Sequence, residues 1–364
     1  MPVGLIFMKW NEVTGNEILA KYPVDLDISN RTLLQLFHTH EYTGERGMIS
    51  LMVGTSHIAS YYTGPESNYC IAILLGLGED PDEYEGALAD VAQIFLQNLE
   101  DEGYIELIPN LFQYLIDYPQ FNKEQQLIYL YNNEIKRWIL NHLREEGILS
   151  KSQLEIWLRQ TFPNGYGDID LTLFEFVQND FIQMHSIKNE RSVLLFLIND
   201  LIMFRIPPFN ILNNFNKFGL PKDLEAIFKE KINLIFETYK YSEEDNLKII
   251  NILSNPRVYI IFDMLRNSIL NKSDFEKLKN KGLKELDNAI KLLIDAQIII
   301  SLKDPSGNDY YILISDFYIN SFVPQYILNV LKDNCENKSK SEPVLIKYLS
   351  VLEESYKESC SKST

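Results

Sequence analysis

An α+β fold is what this sequence predicts, with strands gathered in the first hundred residues and helices dominating the rest. Three observations carry that reading. Apolar runs of strand length recur between Val3 and Leu77, helical apolar spacing fills most of 125–296, and Gly, Asn, Asp and Pro clusters punctuate both. At 364 residues the chain is too long for one ordinary core, so two or three domains are expected.

Val3–Trp10 reads as the first strand, and the turn chemistry of Asn11–Gly15 leads into a second, Glu17–Tyr22. Ser29 or Asn30 caps a helix over Arg31–His40, on which Leu33, Leu34, Leu36 and Phe37 cluster. Gly44 and Gly47 precede two further strands, Met48–Thr55 and His57–Thr63. Tyr69–Leu77 is almost wholly apolar, the pattern of a strand central in its sheet and buried on both faces. Asp80 to Glu85 supply an acidic first turn, favourable to the helix dipole. The helix runs to Gln97, with Leu88, Val91, Ala92, Phe95, Leu96 and Leu99 as its apolar stripe. Residues 1–104 thus form one domain, a five-stranded antiparallel sheet with helices.

Residues 105–123 read as a connector rich in Tyr, Pro and Leu. Helices over Gln125–Glu146, Ser152–Phe162 and Ile169–Phe181 then lead to Ile182–Lys188 and Val193–Arg205, two strands turned at Asn189–Arg191. Three helices followed by a hairpin is the winged-helix order, which sets a first such domain at 124–208. Helices at Lys222–Tyr239 and Glu243–Leu253 fill a spacer, 209–255. The pattern recurs over 256–333: helices Val258–Asn267, Lys272–Lys281 (stopped by Gly282) and Leu283–Ala296 precede a two-stranded wing. That wing is Ile298–Lys303 and Tyr310–Ser315 around Asp304–Asn308, followed by a terminal helix, Val323–Leu331. The tail, 334–364, is a polar linker with a short helix over Val344–Tyr356.

Composition narrows the function. Hydrophobic residues make up 46% of the chain, enough to fill real cores. The net charge of −17 opposes phosphate backbones and anionic lipid, so neither nucleic acid nor an anionic membrane is expected as a partner. Cys70, Cys335 and Cys360 are far apart and odd in number, which offers no disulfide framework or zinc spacing and suits a reducing, cytoplasmic compartment. Apolar runs such as Ser192–Ile206 are interrupted and too short to span a bilayer, and no secretory signal pattern opens the chain. His38 and His40 are two apart, so a helix points them in different directions. At a helix end they are expected to answer the dipole or solvent rather than chelate a metal. No phosphate-cradling glycine loop, nucleophile elbow or paired-carboxylate frame is present. No catalytic, cofactor-binding or metal residue is therefore assigned, and a non-enzymatic protein is expected.

Between Arg46 and Lys123 there is no Lys or Arg, while twelve Asp and Glu fall in that stretch. Asp80, Asp82, Glu83 and Glu85 serve either the helix N-terminus and solubility or a docking face for a basic partner. In the second case complementarity acts mainly on encounter rate and partner choice. Tyr104, Phe112, Tyr114 and Tyr118 are candidate apolar anchors for a partner, against the favoured reading that they glue the first module to the second. The candidate recognition helix of the first winged helix carries Asp168, Asp170, Glu175 and Asp180 and no Lys or Arg, the wrong sign for a major groove. Lys272, Lys277, Lys279 and Lys281 form the one notable basic cluster. A solvated helix face explains it, with DNA contact as the competing reading.

Phe7–Met8, Gly15, Ile18 and Pro23 in the opening strand–turn–strand match a pattern that Ser67–Asn68, the strand Tyr69–Leu77 and its acidic-start helix extend. The N-terminal hundred residues, followed by winged helices, resemble the longin-domain regulators of small Ras-like GTPases, such as the nitrogen permease regulator-like subunits of GATOR-type complexes. The resemblance implies an adaptor or scaffold in trafficking or nutrient signalling. Its partner would be a small Ras-like GTPase or a sister longin or roadblock-type subunit, paired edge to edge as a homo- or heterodimer. A GTPase-activating member of that family inserts an arginine from the loop before the strand matching Tyr69–Leu77, where a fixed cation neutralises the transferring phosphoryl group. Here Gly64–Asn68 holds no basic residue, and Arg46 is the nearby substitute. The competing classes are a winged-helix subunit of an ESCRT-II-like membrane-sorting complex and a winged-helix transcription regulator.

Overall fold

A computed structural model describes residues 1–11, 15–43, 46–54, 56–65, 67–99, 104–162, 169–188, 190–280 and 286–362. The turn residues Glu12–Thr14, Gly44, Glu66, Asp168, Asn189, and Lys281 with Gly282 and Leu283 lie outside the described residues. The chain is mixed α+β, with a five-stranded antiparallel sheet at its N-terminus. It forms two compact units: one spans 1–121 and 148–197, the other 122–147 and 198–364. Among the described residues no helix is long and apolar enough to cross a membrane.

The first unit opens with β1 (Gly4–Asn11), β2 (Gly15–Tyr22), α1 (Asn30–Thr43), β3 (Gly47–Val53), β4 (Ser56–Tyr62) and β5 (Tyr69–Leu75). A 3-10 turn, Pro81–Tyr84, precedes α2 (Glu85–Gln97) and α3 (Tyr104–Asp117). The strands lie in the order β2-β1-β5-β4-β3, every neighbouring pair antiparallel. Period-2 alternation gives this sheet two apolar faces. Ile6, Met8, Ile58, Cys70, Ala72 and Leu74 face α1 through Leu33 and Leu36. Leu5, Phe7, Ala59, Tyr61, Ile71 and Ile73 face α2 and α3. Covering both faces is what makes β5 apolar along its whole length.

The expected connector is instead helix α3, despite Pro109 inside it. Ile108, Leu111 and Leu115 are buried in the sheet's core, and that burial outweighs the local cost of the proline. Tyr104, Phe112, Tyr114 and Tyr118 pack on the same core.

Helices α4 (Lys123–Asn132) and α5 (Glu134–Glu146) belong to the second unit. The single helix expected over 125–146 is broken because Asn133 turns its side chain to the Lys136 N–H and starts a new one. The first unit resumes with β6 (Ile148–Ser150), α6 (Lys151–Thr161), α7 (Ile169–Gln178), β7 (Ile182–His185) and β8 (Leu194–Leu197), the strands ordered β6-β8-β7. Helix α7 packs on α2. Its polar residues Thr172 and Glu175 are buried, and Tyr118 lies so close over Gly86 that a Cβ there would meet its hydroxyl at 2.5 Å.

The second unit continues with β9 (Asp200–Ile206), α8 (Phe209–Asn213), α9 (Phe215–Phe218), α10 (Lys222–Thr238), α11 (Glu243–Leu253) and α12 (Pro256–Arg266). Next come β10 (Leu270–Asn271), α13 (Lys272–Asn280), α14 (Leu286–Asp295), β11 (Ile299–Lys303) and β12 (Asp309–Leu313), the strands ordered β10-β12-β11. Strand β13 (Asp316–Phe322), α15 (Ile327–Glu336) and α16 (Glu342–Lys362) complete it. Two strands depart from expectation. The run Val193–Arg205 divides at Ile198–Asn199 into β8 and β9, and the unexpected β13 pairs with β9 along its whole length as a separate ribbon.

The two halves of this C-terminal region repeat in detail. The segment Leu143-Arg144 followed by Ile148-Leu149-Ser150-Lys151-Ser152 recurs as Leu265-Arg266 followed by Ile269-Leu270-Asn271-Lys272-Ser273. Asp180 and Gln297 both adopt a positive φ just past α7 and α14, and the next residue's N–H bonds back to Phe176 and Leu293 respectively. In the ribbon, Arg144 Nε donates to Asp200 Oδ1 at 2.8 Å, as Arg266 Nε does to Asp316 Oδ1 at 2.8 Å. Each of those carboxylates also accepts the next residue's N–H at 2.7 Å. The register pairs Met203 with Ile319, equivalent positions of the two copies, so the ribbon is pseudo-twofold about that pair.

Arg205 locks the ribbon to the second copy. Its guanidinium, 5% exposed, forms a two-point pair with Asp245 at 2.8 and 3.0 Å. It also donates to the Ala296 and Gln297 carbonyls beyond α14 and to Ser315 Oγ. Arg205→Leu strands a half-buried carboxylate and helix-end carbonyls, at an expected cost of about 3 kcal/mol. In urea unfolding the double variant Arg205→Leu/Asp245→Leu should recover much of that loss; equal losses in single and double variants would show that the pair is not the cause.

Candidate interaction surface

The acidic turn forms where β5 leaves the sheet. Asp80 is tied up locally: its Oδ1 accepts the Asp82 N–H at 3.1 Å, capping the 3-10 turn. Next to it, Glu79 accepts the Gly76 N–H at 2.6 Å and the Tyr84 hydroxyl at 2.7 Å. Asp82 and Glu83 are exposed and Glu85 is half-buried. Burial, with Asp82 nearby, raises the Glu85 carboxyl above its ordinary pKa. Helix capping therefore accounts for Asp80, while Asp82 and Glu83 present charge to solvent.

Arg46 is not part of that surface. It precedes β3, whose first residue pairs with the last of β4, which in turn pairs with the start of β5. Arg46 and the acidic turn thus sit at opposite ends of β5, about 20 Å apart along the strand. Arg46 is exposed, and its side chain lies across Gly64, so the arginine borders the loop before β5. The five candidate residues form two sites at the two ends of the sheet.

Strands β2 and β3 are the rims of that sheet. They present Ile18 and Met52 to solvent, the latter 65% exposed. The aromatic anchor candidates Tyr104, Tyr114 and Tyr118 are committed inward; Tyr114 donates to Asp90 Oδ2 at 2.8 Å. Of the basic cluster, Lys272 and Lys277 are exposed on α13, and Lys277 pairs with Asp274 at 3.0 Å. Lys279 lies on the same helix. Among the described residues no group of three or more His, Cys, Asp or Glu is placed to hold a metal ion.

The two neighbouring histidines behave differently from one another. His38 is exposed beside Glu41, as expected of a helix-end histidine. His40 is instead 1% exposed, on the α1 face that also buries Leu33, Leu36 and Phe37. The helical spacing of those four residues places them on one buried face. His40 Nε2 meets Ser60 Oγ at 3.1 Å, and Ser60 Oγ meets Cys70 Sγ at 2.8 Å. Burial lowers the His40 pKa to about 4, against the opposing effect of the Ser60 backbone, and pushes the Cys70 thiol up to about 12.

No protein-family model, no curated protein and no solved structure matches this chain.

Two outcomes are expected. Because the folded-state pKa of His40 is below its unfolded value, the unfolded chain binds the extra proton between about pH 4 and 6.5. The stability held above pH 6.5 should fall by about 3 kcal/mol as pH drops through that window. Urea unfolding of His40→Leu should show a shallower pH dependence there, and identical slopes would remove His40 as the cause. Separately, Asp80→Ala should cost about 1 kcal/mol as a lost cap, whereas Asp82→Asn and Glu83→Gln should stay within about 0.5 kcal/mol.

Proposed function

We propose that this chain is a non-enzymatic adaptor. Its N-terminal sheet module acts as a longin-like platform that holds a small Ras-like GTPase or a sister longin or roadblock-type subunit, and its C-terminal region is a winged-helix scaffold. The observation that carries the reading is the strand order β2-β1-β5-β4-β3 between α1 on one face and α2 with α3 on the other, with β2 and β3 as rims. A rim strand offers backbone donors and acceptors to a partner's strand. The exposed Asp82 and Glu83 add a field that acts on encounter.

The winged-helix part of the reading is supported by an element order of helix, strand, two helices and two strands that occurs twice. Both small sheets place the first strand beside the third. A scaffold role suits these modules better than DNA binding. Thr172 and Glu175 on α7 are buried, with α2 packed on that helix. On α14, Asp287 and Asp295 flank Lys291. The same repeated element order supports the second reading, a winged-helix subunit of an ESCRT-II-like membrane-sorting complex.

Pull-downs against Ras-like GTPases in both nucleotide states and against longin and roadblock-type subunits test the proposal. Enrichment of one of them is expected, and none in any state would overturn it. With the captured partner, Asp82→Lys/Glu83→Lys should slow association about tenfold at low salt, an effect that fades near 0.5 M salt.

A further inference from the structure

At the end of the ribbon where β9 begins and β13 stops, a groove of about 340 Å³ opens to solvent. Its walls include Tyr131, Ile202, Phe204, Tyr241, Glu243 and Phe322. Tyr241 is 65% exposed and Phe322 37%, so much aromatic surface faces water.

The charges around the groove do not cancel. Arg144, also in its wall, is bonded to Asp200 and to Asn141 Oδ1, and Tyr326 holds the other Asp200 oxygen at 2.8 Å. That carboxylate neutralises the guanidinium. Glu243 receives one neutral donor, the Tyr131 hydroxyl at 3.1 Å. At the opposite end of the ribbon the equivalent arginine is closed off differently. Arg266 binds Asp316 and is also clasped by Glu124 through two bonds of 2.6 and 2.8 Å. One end therefore consumes its second carboxylate, while the other leaves it facing an aromatic groove. Glu243 lies in the first turn of α11, the helix end at which acidic residues are favoured.

The geometry points to this groove as a binding site for the side chain of an arginine or lysine presented by a partner protein. The aliphatic stem lies along Ile202, Phe204 and Phe322, and the cation sits between the Tyr241 ring and the Glu243 carboxylate. A net charge of −17 draws basic partners toward the chain. This site belongs to the second unit and does not depend on the N-terminal module binding a GTPase.

The test titrates the full chain with Nα-acetyl-arginine methylamide, with its lysine counterpart and with the neutral norleucine analogue, read from the methyl NMR signals of Ile202 and Met203. Saturable shifts are expected for a cationic probe with a dissociation constant of about 1 mM. The tighter of the two cationic probes identifies the head group. The norleucine analogue should bind about tenfold more weakly. Glu243→Gln, which still accepts from Tyr131, should weaken cation binding about fivefold with the melting temperature unchanged. Should that variant fold poorly, Tyr241→Ala at an exposed position should weaken binding about threefold. Equal affinity for the norleucine analogue, unchanged affinity in folded variants, or shifts that never saturate would each overturn the proposal.

Discussion

The second unit depends on how a two-stranded ribbon is kept from fraying. Two strands alone are marginal in water, and among the described residues β9 and β13 pair with each other and with no further strand. Three arginines hold them. Arg144 and Arg266, at the ends of α5 and α12, each fix the aspartate that opens a ribbon strand, and Arg205 ties the middle of β9 to α11 and to the end of α14. Each guanidinium is buried or half-buried and saturated by carboxylates and carbonyls, the condition under which a desolvated charge becomes tolerable. Removing any one takes from its aspartate the opposite charge, leaving neutral donors alone to hold it.

The same ribbon explains why two similar halves are not interchangeable. Pseudo-twofold pairing through Met203 and Ile319 lets one set of contacts serve both copies. Divergence then shows at the edges: Glu124 closes one arginine site, and Glu243 stays open at the other. In the first unit the constraint is different. There the two-faced burial of β5 requires a helix on each side, and α3, with its internal proline, is held by the core it covers.

Much of this was legible in the residues. The five N-terminal strands announce themselves through period-2 alternation and one continuous apolar run, and the β11–β12 hairpin through its turn at Asp304–Asn308. The elements that escaped share a cause: their partners are distant in sequence. DFYINSF of β13 alternates Phe317 and Ile319 inward with Tyr318 and Asn320 outward, but a mixed polar–aromatic strand gains meaning only beside β9. Helix α3 was masked by Pro109, whose propensity penalty a single sequence shows while the compensating core stays hidden. The acidic turn was legible as a charge cluster. Of its two readings, the cap is the one that Asp80's bond to the Asp82 N–H selects, and Arg46's place at the far end of the sheet follows from strand register.

The seam beneath α1 carries a chemical clock. Cys70 is sealed there with its thiol held protonated, while Cys335 stands in solvent. An alkylating reagent reaches the first only when the helix lifts away from the sheet, whereas the second reacts at once. Slow labelling at Cys70 against prompt labelling at Cys335, resolved by peptide, reports how often that layer breathes.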